Sequence, residues 1–382
     1  APYADLTSAC VRPRHRSPRA GRRIGRVRQL PGGGLQYSLR MSAWVMPVET
    51  APHERTWMAW PSAPYTLGDG PGDADEAWRT WAAVANTIAA YEPVSMLVAP
   101  EGHEEARRRL DSAIELHACP LNDAWYRDTG PTFVLDGDGG LGAVDWVFNG
   151  WGQQDWARWD ADQHAAAVAI AATGARRIGS PLVNEGGGIH TDGAGTFLVT
   201  DTVQLDPFRN PRLTRADVEA ELARTVGARA VIWLPQGLTR DSQTYGTRGH
   251  VDIVATFPAP GTVLLHDQRD PAHPDHTVSA RLREVLARAL DSAGTPLEVV
   301  AIPAPSVLRD AEGFVDYSYV NHYVANGVVV ACAFDDPADA EAREILAAAY
   351  PGREVVSVDA RPLFSRGGGI HCITQQQPRA GG

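Results

Sequence analysis

Glu185-Gly-Gly-Gly-Ile-His190 recurs 181 residues further on as Arg366-Gly-Gly-Gly-Ile-His371. Five identical residues in a row at two distant places indicate one structural unit used twice. Glycine tolerates positive φ and lets backbone come close to a ligand. Both runs lead into polar or reactive positions, so the reading is two equivalent loops facing one central site. Around these runs the chain alternates two periodicities. Apolar residues at i, i+3 and i+4 predict helices over Asp75–Tyr91, His103–His117, Asp160–Thr173, Thr214–Val226, Thr277–Ala293 and Ala338–Tyr350. Short runs rich in β-branched residues predict strands over Val94–Ala99, Thr132–Leu135, Gly142–Phe148, Thr196–Thr200, Ala230–Leu234, Val251–Thr256, Thr262–His266, Glu298–Ile302, Gly327–Ala333 and Glu354–Val358. The expected class is α/β.

Residues 1–40 break this pattern. They hold nine Arg against the single acid Asp5, with no periodicity, and are expected to be a disordered basic extension. Residues 41–382 are expected to form a single α/β domain. The net charge is −11, of which the extension carries +8, so the rest carries −19. A strongly acidic body disfavours nucleic acid and steers cationic ligands inward. All 35 Lys+Arg positions are Arg, which removes the lysine of a phosphate loop and Schiff-base chemistry. No 18-residue apolar window occurs, so no membrane span is expected. Cys10, Cys119, Cys332 and Cys372 are scattered without a CxxC pair, which fits a reducing cytoplasm.

Four turn-like segments concentrate reactive residues: Asn122–Pro131, Asn184–Gly193, Gly249–Asp252 and Gly367–Pro378. His250 and Asp252 stand at i and i+2 where a strand is expected, which would put both side chains on one face. Read alone, Cys372 is either an inert buried thiol or a nucleophile; its polar surround of Thr374 and three glutamines distinguishes it from Cys332 in an apolar strand. His190, His371, Cys372, His250 and Asp252 include metal-ligand types, but neither HExxH nor paired CxxC is present. No Gly-x-Ser-x-Gly elbow supports a serine hydrolase.

Together these segments resemble the agmatine deiminase family of the guanidine-modifying superfamily, related to peptidyl-arginine deiminases. The residues that carry the resemblance are Asn122-Asp-x-Trp125-x-Arg-Asp128-x-Gly-Pro131, Phe148-Asn-Gly-Trp-Gly152, Glu185-Gly-Gly-x-Ile-His190, Gly249-His-Val-Asp252 and Ile370-His-Cys-Ile-Thr-Gln-Gln-Gln-Pro378. Glu54 to Pro61 and Tyr319-Val-Asn321 add to it, so that it spans about residues 47–378. The resemblance implies a pentein-like, five-bladed α/β propeller of ββαβ units around an acidic centre. It implies hydrolysis of agmatine to N-carbamoylputrescine and ammonia, a step of putrescine biosynthesis. Cys372 would be the nucleophile and His250 the general acid/base. Asp128 and Asp252 would grip the guanidinium, Glu185 would hold it and orient the histidine, and Trp125 would pack on the alkyl stem. Glu54, Trp57 and Trp60 are candidates for the far amine. No cofactor or metal is expected, and the partner is a small guanidinium molecule. A homo-oligomer is compatible with the sequence, which leaves assembly state open. Asn184, Arg248 and Gly369 depart from the family pattern and bear on substrate preference. Alternatives are a deiminase of free or peptidyl arginine, with Arg127 or Arg248 receiving the carboxylate, and a non-catalytic guanidine or polyamine binder.

Overall fold

The computed structural model describes residues 44–62, 64–243 and 246–381; the expected basic extension lies outside them. Five sheets repeat one order: an antiparallel pair, a helix, then a strand parallel to the second of the pair. The first pairs Thr132–Asp136 with Leu141–Val147, and after the helix Ala165–Thr173 adds Arg176–Val183. The second runs Ile189–Thr191, Thr196–Thr200, helix Arg215–Thr225, Ala230–Leu234. The third runs Ala255–Ala259, Thr262–Asp267, helix Asp275–Leu286, Glu298–Pro303. The fourth runs Tyr323–Ala325, Val328–Ala333, helix Ala338–Ala349, Glu354–Asp359.

The fifth sheet joins distant parts of the chain. Thr374–Pro378 lies antiparallel to His53–Ala59, with Thr374 opposite Met58 and Gln376 opposite Thr56. His53–Ala59 then runs parallel to Val94–Val98, after the helix Asp73–Ala89. That helix has Asp73, Asp75 and Glu76 in its first turn, where its dipole favours acids. It buries Ala77, Trp81, Val84, Ala85 and Ile88, the helical spacing of a single apolar stripe. Helix Arg215–Thr225 starts on a reciprocal cap between Thr214 and Asp217. Strands Val94–Val98 and Thr196–Thr200 are buried along their whole length, which explains their continuous rather than alternating hydrophobicity. No helix among the described residues is long and apolar enough to cross a membrane.

The structure corrects several expected elements. The helix over His103–His117 stops at Arg109, and Glu115–Ala118 instead adds a parallel strand beside Val94–Val98. Asp111 turns the chain between them by accepting from the Ala113 N–H at 2.8 Å. The helix from Asp160 has a short 3-10 turn at Asp162–His164 and α-helix only over Ala165–Thr173; that from Thr277 ends at Leu286. Val251–Ile253 is a 3-10 turn, with the strand starting at Ala255, so His250 and Asp252 do not share a strand face. Thr374–Pro378, read as a polar turn-like segment, is a wholly buried strand. Its glutamines carry no apolar alternation, and its pairing partner is some three hundred residues away in sequence.

Candidate active site

In each of the five sheets a short turn precedes the first strand, and these turns carry the reactive residues. Tyr126–Thr129 brings Asp128; Glu185 and Gly186–Gly188 come before Ile189; His250 and Val251–Ile253 before Ala255; Ser318–Asn321 before Tyr323; His371–Ile373 before Thr374. Asp128, Glu185, His250, Asp252, Asn321 and Cys372 are all buried. One-turn helices leave their backbone groups free to bond elsewhere.

One side of the site is built on Glu185. Arg209 donates its Nε to both carboxylate oxygens, at 3.0 and 3.1 Å, and fixes itself to Asp206 and the Thr247 carbonyl. Burial pushes Glu185 up, but Arg209 and His250 outweigh it and hold the carboxyl below its usual range. An ionised carboxylate only accepts, so the His250 Nε2 that lies 3.2 Å from Glu185 carries the proton. The opposite ring atom, Nδ1, is buried without a partner and lies 3.8 Å from Asp128 Oδ1. Burial lowers the His250 imidazole, but Asp128, Glu185 and Asp252 together raise it to about 9. Asp128 accepts from the Trp151 indole at 2.8 Å and from the Gly187 N–H at 3.1 Å. Burial, with Asp252 and Glu185 nearby, pushes its carboxyl up to about 6 against the pull of His250.

The other side is built on the thiol. Cys372 Sγ lies 3.7 Å from Asp252 Oδ2 and 3.3 Å from the Asn321 amide nitrogen. Burial first, then Asp252 and Asp128, drive this thiol well above its ordinary value, so at rest it keeps its proton. Asp252 Oδ2 accepts from His371 Nδ1 at 2.7 Å, while its Oδ1 is buried and unpartnered. Burial raises Asp252, but His371, His250 and Arg127 hold it below the usual range.

Both glycine runs face this site. A Cβ on Gly187 would lie 2.5 Å from His250 Nδ1 and 3.1 Å from Asp252 Oδ2. A Cβ on Gly368 would lie 2.9 Å from Cys372 Sγ and from the Trp125 ring. The two runs are nevertheless not equivalent in the fold, which corrects the reading of the repeat. The turn that leads into the strand is Gly186–Gly188 in one case and His371–Ile373 in the other, so the identical letters stand about four residues out of structural register.

A narrow cleft reaches the site, lined by Trp125, Asp128, Trp151, Trp156, Arg366 and Cys372 among others. His250, Asp252 and Glu185 lie one layer deeper. Trp125 thus lines the approach to the thiol. Trp57 and Trp60 do not: both are fully buried in the main core, Trp57 donating to Gln377 at 2.9 Å. Glu54 is exposed, 3.7 Å from Arg379. Of the departures from the family pattern, Asn184 accepts from Gln204 at 2.7 Å, and Arg248 lies over the Phe208 ring. Gly369 sits where a Cβ would come 2.5 Å from Asn321 Oδ1, so its lack of a side chain leaves room for the amide beside the thiol.

Sequence reasoning missed Arg209, Glu49 and Trp151, and gave Asn321 no role. Arg209 carries no motif, and its link to Glu185 exists only after folding. Trp151 leaves a clearer trace. It adopts φ +53, uncommon for a bulky residue, inside a Gly-Trp-Gly step whose neighbours also take positive φ. Among the described residues Glu49, His190 and His371 place ligand-type atoms within 4.8 Å of one another. His371 already uses both ring nitrogens on carboxylates, however, and the Arg127 guanidinium lies 3.5 Å from Glu49, so a cation is already in place there.

The chain belongs to the Porphyromonas-type peptidyl-arginine deiminase family, which it matches over residues 45–378. A relative from Streptomyces coelicolor is 55% identical over 335 residues, covering 87% of this chain and 98% of its own. The agmatine deiminase of Stutzerimonas stutzeri is 40% identical over 362 residues, covering 89% of this chain and 96% of its own. The solved structure of agmatine deiminase from Enterococcus faecalis superposes with a TM-score of 0.82 at 30% identity, over 88% of this chain and 96% of the other.

Proposed function

We propose that this chain is an agmatine deiminase, a hydrolase that converts agmatine to N-carbamoylputrescine and ammonia in the cytoplasm. The observation that carries the reading is a buried thiol set between Asp128 and Asp252, with an unpartnered carboxylate oxygen and an unpartnered imidazole nitrogen on the same site. A guanidinium is a flat cation whose N–H donors match carboxylates on separate loops. Its positive charge also offsets the two acids that keep Cys372 protonated. The sulfur then attacks the guanidinium carbon. A sulfur–carbon bond forms as the thiol gives its proton up to solvent, and a carbon–nitrogen bond breaks as protonated His250 hands its Nδ1 proton to the departing ammonia, which leaves the ring neutral. The thiouronium that remains is cleaved by water, whose proton His250 accepts, and the thiol is restored. Arg209 and Glu185 hold His250 with Nδ1 facing the chemistry, so Glu185 acts by orientation; Trp125 packs on the stem.

The cavity mouth favours a cationic tail over a carboxylate. Arg366 is bound to the Thr66 and Asp73 carbonyls and to Glu76, and Arg240 is paired with Asp310 and Glu312. Arg127 and Arg248 line no part of it. Buried Asp316, which lines the wider adjoining cavity of about 440 Å³, keeps one oxygen without a partner; burial pushes its carboxyl up to about 7, and an amine beside it would draw it to the ionised form. The same reading takes the five sheets as blades of one pentein-like α/β propeller formed by residues 41–382. Their shared strand order and the convergence of their five opening turns support it.

The test is ammonia release from agmatine and from arginine, with Cys372→Ala beside the unaltered enzyme. Turnover of agmatine, a covalent adduct on Cys372 after acid quench, and no turnover in the variant are expected. Full activity of Cys372→Ala would overturn the assignment.

A further inference from the structure

The thiol and its carboxylate do not stand alone. His371, the residue before Cys372, is buried with both ring nitrogens on acids: Nδ1 on Asp252 Oδ2 at 2.7 Å and Nε2 on Glu49 Oε1 at 2.8 Å. Two acceptors on one imidazole require two donated protons, so the ring is a cation. Burial lowers its affinity for the proton and Arg127 opposes it further, but Glu49 and Asp252 together raise it. Glu49 is in turn held by the Gln376 amide at 3.4 Å and lies near Arg127 and His190. The arrangement is a row of alternating charge, Glu49, His371 and Asp252, ending beside the sulfur.

We infer that Glu49 and His371 form a positioning pair that pins Asp252 by Oδ2 and thereby leaves Oδ1 as the oxygen that receives the guanidinium. This rests on the guanidine-hydrolase reading above. Asp252 shares the site with Asp128 and Glu185, and three buried carboxylates repel one another. Without a cation behind it, Asp252 would take up a proton or rotate toward another donor. His371 supplies that cation without filling the cavity, and Glu49 keeps His371 charged and in place. In this role neither Glu49 nor His371 touches substrate.

The experiment begins with ammonia release from agmatine by the unaltered enzyme. No release there sinks the functional reading itself, and this inference with it. With turnover established, agmatine binding is titrated calorimetrically in a Cys372→Ala background, with Glu49→Gln, His371→Gln, Asp252→Asn and the double variant Asp252→Asn/His371→Gln added. Glu49→Gln is expected to weaken binding about tenfold and His371→Gln about thirtyfold or more. The double variant should bind no more weakly than Asp252→Asn alone, because the pair acts only through that carboxylate. Additive losses in the double variant, or unchanged binding in Glu49→Gln, overturn the inference. A variant that unfolds early but binds agmatine as its parent does overturns it too. If His371→Gln does not fold, Glu49→Gln decides by itself.

Discussion

The two Gly-Gly-Gly-Ile-His copies are the same letters put to different uses. In the first, the glycines themselves form the one-turn helix, Glu185 before them is sealed against Arg209, and His190 beyond them lies in a strand bonded to Thr256. In the second, the glycines precede the turn, Arg366 before them clamps the cavity rim, and His371 beyond them braces a carboxylate. What the copies share is a missing side chain at the second glycine, next to a reacting group. Sequence identity here records a common steric demand rather than a common place in the repeat.

Substitutions separate the two demands. Gly187→Ala should have the largest effect, because the new methyl meets the imidazole ring and two carboxylates, none of which can give way. A loss of roughly a hundredfold or more in kcat/KM is expected, about 3 kcal/mol at 1.4 kcal/mol per decade; steady-state kinetics check it, and a loss under threefold breaks the comparison. Gly368→Ala meets Cys372 Sγ and the edge of Trp125 at 2.9 Å. A thiol can rotate, so about a tenfold loss is expected, carried by kcat.

The protonation states sharpen the contrast further. In the proposed mechanism Asp128 would grip the guanidinium only when ionised, and burial pushes its carboxyl up to about 6; His250 would donate only when protonated, and its acid neighbours raise it to about 9. Activity should therefore rise as pH passes about 6 and fall as it passes about 9. Glu185→Gln removes a charge that holds His250 up, so the alkaline limb should move to lower pH in a kcat/KM profile. An unmoved limb would detach the first copy from the acid/base step. The smallest effect falls on His190→Gln. It loses buried hydrogen bonds but touches no reacting group, so about 1–2 kcal/mol of stability should go, with kcat/KM within threefold. Denaturant unfolding beside kinetics reads both.

Much of this was legible in the letters. The α/β class, most strand positions and the convergence of Asp128, Glu185, His250, Asp252 and Cys372 follow from local pattern and from the resemblance. What escaped has a common physical cause. Arg209, Glu49 and the braced His371 act through partners between 24 and 322 positions away, and a lone buried charge carries no periodicity. Trp57 and Trp60 were drawn toward the substrate by their place in a family signature, whereas their size and burial put them in the core. The strand Thr374–Pro378 hid because its glutamines look solvent-facing until a partner strand covers them.

That strand has a consequence for timing. Four of the turns that build the site are made by the time a ribosome has passed residue 321, and His53–Ala59 has long been waiting. Among the segments that build the site, Cys372 and its covering strand Thr374–Pro378 come last, and they dock on a strand translated some three hundred residues earlier. A nascent chain therefore holds the acids of the site without their sulfur until residue 372 has emerged and the strand after it has docked on His53–Ala59.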